Sequence, residues 1–184
     1  MEIRKLTGDE FFPLFNKHRV DHFKETLWFS AHQVRTAYED ERFNSLYAGF
    51  KNRWELHLAL FENDKLIGWC SSFQTRPYEL YMMNSVVFAE HRRKGYYTKM
   101  VQEVLKEAKA AGFQIVTSNH ICTNNDVIIP KLKLNFMMTG FEVLDEFGVV
   151  VKLTHYLNEV RGKAIEFRSG QMKPDEALKT LFKI

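Results

Sequence analysis

Between residues 79 and 120 the spacing of apolar side chains changes period twice, and this constrains the fold more than any other feature of the 184-residue chain. Residues 79–88, ELYMMNSVVF, are rich in Tyr, Met and Val, as in a buried strand. From Tyr97, the side chains of Met100, Val101, Val104, Leu105 and Ala108 recur at helical spacing, and Gly112 stands where a left-handed residue ends a helix. Residues 113–118 return to a strand pattern. Strand, helix, strand in that order predicts two parallel strands joined by a right-handed crossover.

The flanking segments predict an α/β chain of the α+β kind, with flanking helices and a mixed, mostly antiparallel sheet around that unit. Residues 2–6 alternate as an edge strand, Asp9 can cap a helix reaching about residue 24, and residues 30–50 are helical. The aromatic residues of that region, Trp28, Phe29, Tyr38, Phe43, Tyr47 and Phe50, are expected to be mostly core. Residues 54–60 and 66–74 form a hairpin about Glu62-Asn63-Asp64-Lys65, and residues 140–143 and 149–153 form a closing one. Asn124 in Asn124-Asn125-Asp126 can cap a short helix. A 45% hydrophobic content supports one domain over residues 1–157, followed by a helical extension over 158–184. In that extension Pro174 lies in the first turn of a last helix, whose Leu178, Leu181 and Phe182 cap the domain or build a dimer.

A formal net charge of +3 is too small for a nucleic-acid surface, even with the basic cluster at 92–94 and a basic tail, so neither nucleic acid nor membrane is an expected partner. Cys70 and Cys122 stand far apart without CxxC spacing, which fits a reducing, cytoplasmic setting. No stretch of about 18 apolar residues could cross a bilayer, and the N-terminus lacks the apolar core of a signal peptide, so a soluble protein is expected. His18 and His22 share a helical spacing, but the order is not HExxH and no third ligand is evident, so no metal is expected.

The stretch HRRKGYYTKM, residues 91–100, joins the buried strand to the helix. Unpaired amides converge at such a helix start, where the helix dipole adds partial positive charge. Gly95 permits positive φ or close approach, and Arg92, Arg93 and Lys94 can add charge-assisted hydrogen bonds to an anion. Neither GxxxxGK[ST] nor GxGxxG is present, which favours a pyrophosphate carrier other than a nucleoside triphosphate or NAD.

Two segments resemble the GNAT superfamily of acyl-CoA-dependent N-acyltransferases. The family's (Q/R)xxGx(G/A) compares with Arg92-Arg93-Lys94-Gly95-Tyr96-Tyr97, and its preceding V-x-P-x-x-R with Val87-Phe88-Ala89-Glu90-His91-Arg92. Its NxxAIxLYExLGF compares with residues 124–136, NNDVIIPKLKLNF. The resemblance implies transfer of an acetyl or other short acyl group from acetyl-CoA to a primary amine, borne by a small molecule or peptide, through direct attack in a ternary complex. It implies that Ser85, Val86 and Val87 hold the pantetheine arm, that the amides from Arg93 through Lys94, Gly95, Tyr96 and Tyr97 to Thr98 hold the pyrophosphate, and that Asn124 lies near the thiol.

The departures bear on chemistry. Tyr97 stands where the family has Gly or Ala, so its side chain must point away from the phosphates or narrow the site. Lys131 stands for the family's tyrosine, the usual proton donor to the thiolate, Asn135 for the glycine of LGF, and Asn119 where some members carry a glutamate base. A carrier that binds acyl-CoA without transfer is therefore the alternative function.

An amine with a pKa of about 10.4 must lose a proton before attack, whereas a thiol with a pKa of about 8.5 leaves readily. His120, at the end of the second parallel strand, is the first candidate base. Glu79 and Tyr81 are expected on the same strand face as Ser85 and Val87, where either could act through water. Lys131 could donate a proton if desolvation lowers its pKa.

Overall fold

The structure, a computed structural model, describes residues 1–22, 33–50 and 52–184. Its helices are α1 (Gly8–His22), α2 (Ala37–Tyr47), α3 (Tyr96–Ala110), α4 (Asn125–Lys133), α5 (Glu159–Arg168) and α6 (Glu176–Phe182). Strands β1 (Glu2–Leu6), β2 (Glu55–Glu62), β3 (Lys65–Arg76), β4 (Glu79–Val87), β5 (Ile115–Ile121), β6 (Met137–Leu144) and β7 (Gly148–Tyr156) form one seven-stranded sheet in the order β1-β2-β3-β4-β5-β7-β6. Among the described residues only β4 and β5 pair in parallel, with α3 between them in the chain.

The predicted strand–helix–strand unit is therefore present at the centre of a mixed, mostly antiparallel sheet. The α3 apolar stripe accounts for one side of the core: Met100, Val101, Val104 and Ala108 pack with Leu58, Cys70, Leu80, Met82 and Val87. On the opposite face, Phe11 of α1 packs with Trp69, Val86 and Phe88. Gly112 has φ 88° and follows the C-cap Ala111, as its sequence position predicted. The first hairpin turns at Asn63 and Asp64, with φ of 51° and 60°, values that Asn and Asp tolerate better than most side chains.

Several expectations are corrected. Thr7, not Asp9, organises the start of α1: its hydroxyl accepts from the Glu10 amide while its own amide donates to Glu10 Oε2. A second such box, Thr36 with Glu39, starts α2 later than expected. Tyr38 and Phe50 are 70% and 57% exposed and Phe43 and Tyr47 are also exposed, so these four are not core; Trp28 and Phe29 lie outside the described residues. Pro174 precedes the N-cap Asp175 and so lies outside α6. In the tail Leu178 is buried while Leu181 is exposed; Arg161 of α5 bonds Gln114, and Lys163 bonds Asp175, tying α5 to the start of α6.

The most consequential correction concerns β4. Ser71 pairs with Asn84 and Ser72 with Met82, so Met83 is an extra residue in that strand. Such a bulge reverses the alternation of side chains. Leu80, Met82, Ser85 and Val87 accordingly share the face of α3, whereas Tyr81 pairs with Phe73 on the face of Trp69 and Val86. Glu79 and Tyr81 thus lie on the face opposite Ser85 and Val87.

Candidate active site

After β4, a turn of 3-10 helix (Ala89–His91) leads through residues 92–95 into α3. Arg93 and Gly95 have φ of 61° and 76°. A Cβ at Gly95 would meet nothing within 4 Å, so the glycine serves the positive φ and leaves its surroundings open. The amides of residues 93–98 donate to no backbone carbonyl of the described residues, and the first helical bond runs from Lys99 N to Gly95 O at 3.1 Å. Six consecutive donors at a helix start make a cradle for an anion.

The cations here divide. Arg92 Nε donates to the Val87 carbonyl at 3.0 Å, bracing the turn against the end of β4, and Lys94 lies 4.0 Å from Glu62. Arg93 alone of the three makes no side-chain hydrogen bond or ion pair with a described residue. The Tyr96 hydroxyl donates to Glu62 Oε1 at 2.6 Å, so Glu62 anchors the turn from the first hairpin. Tyr97 reaches Ser85, with the two hydroxyl oxygens 3.3 Å apart, and burial raises its pKa. Its side chain thereby points toward β4 and not into the cradle.

Beside the turn the sheet opens. β4 and β5 pair only through Glu79↔Ile115, Leu80↔Val116 and Tyr81↔Thr117. Beyond these, β4 stays with β3 as far as Val87 and β5 stays with β7 as far as Ile121. The Met83 bulge lies where the two strands part. Between them is a gap edged by strand backbone, suited to an extended ligand with amide groups.

On the α3 face of this gap Lys131 is fully buried. Its Nζ donates to Ser118 Oγ at 2.7 Å and lies 3.5 Å from Met82 Sδ and 5.1 Å from the Phe136 ring centre. Burial pushes the Lys131 pKa down to about 7, so near neutrality both charge states are populated. The Ser118 hydroxyl that accepts from Lys131 also lies 3.0 Å from His120 Nε2, so the three side chains form one hydrogen-bonded row. Burial, aided by the nearby Lys131 charge, lowers the His120 pKa to about 3. Such an imidazole is neutral at pH 7 but too weak to hold the proton of an amine, which weighs against a base role for His120.

On the opposite face Glu79 is buried and accepts a 2.7 Å hydrogen bond from Thr117 Oγ1. Arg76 and Lys152 stand 3.7 and 4.0 Å from its carboxylate. Glu79 borders an open cavity of about 270 Å³ that also reaches Phe73, Tyr81, Asn119, Glu142 and Lys152.

A sequence profile of the Acetyltransferase (GNAT) family matches residues 9–136, more than half of the chain. The chain belongs to the GNAT acetyltransferase family. That family is one of acetyltransferases. Similar folds include the ribosomal-protein-alanine N-acetyltransferase from Brucella melitensis, with 16% identity, a TM-score of 0.63 and coverage of 85% of this chain and 100% of that one. The Salmonella typhimurium protein yncA, solved with its cofactor acetyl-CoA, has 18% identity, a TM-score of 0.63 and coverage of 96% and 98%. An N-acetyltransferase from Staphylococcus aureus Mu50 has 18% identity, a TM-score of 0.62 and coverage of 85% and 98%. A search of curated protein sequences gives no significant match.

Within this GNAT domain the departures from the family motif have local explanations. Asn135 has φ 61°, and asparagine is the residue other than glycine that best tolerates that conformation after a helix. Asn124 occupies the N-cap position of α4, but its side chain makes no capping bond. The His22 ring stacks on Phe88 at 3.8 Å, and the described residues hold no group of three or more metal-ligating side chains. No helix among them is long and apolar enough to cross a membrane. Sequence reasoning missed Ser118 and Glu62; a serine or glutamate that acts through another side chain carries no spacing signal of its own.

Proposed function

We propose that this GNAT enzyme transfers an acetyl group from acetyl-CoA to a primary amine by direct attack in a ternary complex. The observation that carries the reading is the row of free amides at 93–98 beside the gap between β4 and β5. The diphosphate lies on those amides and on Arg93, the pantetheine follows β4 at residues 85–87, and Asn124 faces the thiol end. The thioester then sits in the gap, open to both faces of the sheet.

The two faces divide the proton transfers. The acceptor comes from the Glu79 face, and Glu79 takes the amine proton through a water. The amine nitrogen bonds to the acetyl carbon, the C–S bond breaks, and the electron pair leaves on sulfur. Lys131, on the other face, gives that thiolate a proton and is recharged by solvent as product leaves; a pKa of about 7 suits an acid at neutral pH. Ser118 and His120 orient Lys131. The 158–184 extension belongs to the same domain, and the free thiols Cys70 and Cys122 suit a reducing compartment.

Acetyl-CoA at about a hundred times its Kd is expected to stabilise the fold by about 2.7 kcal/mol, a rise of several degrees in Tm. A primary amine is then expected to release one free thiol per acetylated product. An unchanged Tm at millimolar acetyl-CoA sinks the proposal, and stabilisation without turnover of any amine supports the non-catalytic carrier.

A further inference from the structure

The cavity on the Glu79 face has a charge pattern that specifies more than an amine. Asn119 donates from Nδ2 to Glu142 Oε2 at 2.9 Å, whereas its Oδ1 is buried and has no hydrogen-bond partner among the described residues. A buried amide oxygen left unpaired is costly, and a ligand N–H is the natural group to satisfy it. Glu142 beside it adds the negative charge that an ammonium group prefers. Lys152 completes the other half of the pattern. Its Nζ stands 4.0 Å from Glu79, too far for a hydrogen bond, and donates to no described residue. Arg76 stands 3.7 Å from the other carboxylate oxygen of Glu79, Oε2. Two carboxylates and two cations thus line one small cavity. A simple alkylamine would satisfy Asn119 and Glu142 but leave Lys152 facing an uncharged tail. A ligand carrying both charges satisfies both halves. The Phe73 and Tyr81 rings, 5.6 Å apart, offer an apolar wall for a side chain.

We propose that the acceptor is a free α-amino acid, its amine held by Asn119 Oδ1 and Glu142 and its carboxylate by Lys152, with Arg76 close by. This rests on the acetyl transfer proposed above and names the substrate class. The chemistry is unchanged: the neutral amine nitrogen bonds to the acetyl carbon, its proton passes to Glu79 through water, the C–S bond breaks, and CoA leaves as the thiol.

The test is thiol release from acetyl-CoA by the full chain, with the natural L-amino acids set beside their decarboxylated counterparts, such as phenylalanine with phenethylamine and histidine with histamine. At least one amino acid is expected to exceed its counterpart by about tenfold or more in kcat/KM, since a site built for a polar group rejects the analogue that lacks it. Lys152→Gln is expected to shrink that ratio to about threefold or less, and Lys152→Arg to retain it. Persistence of the acetyl-CoA-induced rise in Tm shows that each variant folds and binds the donor. Equal or better turnover of the decarboxylated amines overturns the proposal. So does a chain that acetyl-CoA stabilises but that acetylates no amino acid, an outcome that leaves the donor site standing. A chain that acetyl-CoA does not stabilise removes the underlying reading instead, and this proposal with it.

Discussion

Lys131 Nζ donates to Ser118 Oγ at 2.7 Å from a position with no solvent exposure. The folded protein holds this amine at a pKa of about 7, whereas an unfolded lysine titrates at about 10.4. Between those values the unfolded chain binds more protons, so stability rises with pH across the window, by up to about 1.4 kcal/mol per pH unit. Below pH 7 the buried charge imposes its full cost. Lys131→Met removes it, and the variant is expected to be more stable than the parent at pH 6, with the difference shrinking toward pH 10. Urea denaturation at a series of pH values checks this; a difference independent of pH contradicts it.

The same amine is assigned the proton for the departing thiolate. Lys131→Tyr restores the family's usual donor and is expected to keep acetyl transfer within about tenfold. Lys131→Leu is expected to lose about a hundredfold, the usual contribution of a general acid. The profile of kcat/KM for acetyl-CoA should fall above pH 7 in the parent, because the acid form is lost there, and that limb should move toward pH 10 in the tyrosine variant. A limb that stays at pH 7 in Lys131→Tyr assigns it to another group.

Gly95→Glu places a carboxylate beside the free amides. Nothing within 4 Å opposes the added Cβ, but φ of 76° costs a non-glycine residue about 1–2 kcal/mol. The variant is expected to melt a few degrees lower and to lose the stabilisation by acetyl-CoA. Differential scanning calorimetry with and without the donor separates the two effects.

At Gly68 the obstacle is packing. A Cβ there would lie 2.5 Å from the Val86 carbonyl oxygen and 3.2 Å from Val87 Cα, both backbone atoms of β4. Gly68→Ala is expected to cost about 1–3 kcal/mol by forcing the two strands apart. Because Val86 and Val87 are assigned to the pantetheine, acetyl-CoA affinity should fall as well. Denaturant titration and isothermal calorimetry report these outcomes, and a stability within about 0.5 kcal/mol of the parent refutes the packing argument.

The sequence by itself determined the elements whose signals are local. Period changes located β4, α3 and β5; Asn63, Asp64 and Gly112 marked turns because few other residues accept positive φ; and Gly95 after a basic run located the turn that starts α3. Only the tertiary structure decided which face each group occupies. One extra residue, Met83, moves Glu79 and Tyr81 away from Ser85 and Val87, and a single insertion in a strand leaves no trace in its composition. Likewise the sequence made the acid role of Lys131 conditional on desolvation, and only the packing of α4 against Ser118 and Met82 supplies it, since a pKa depends on the solvent that distant parts of the chain exclude.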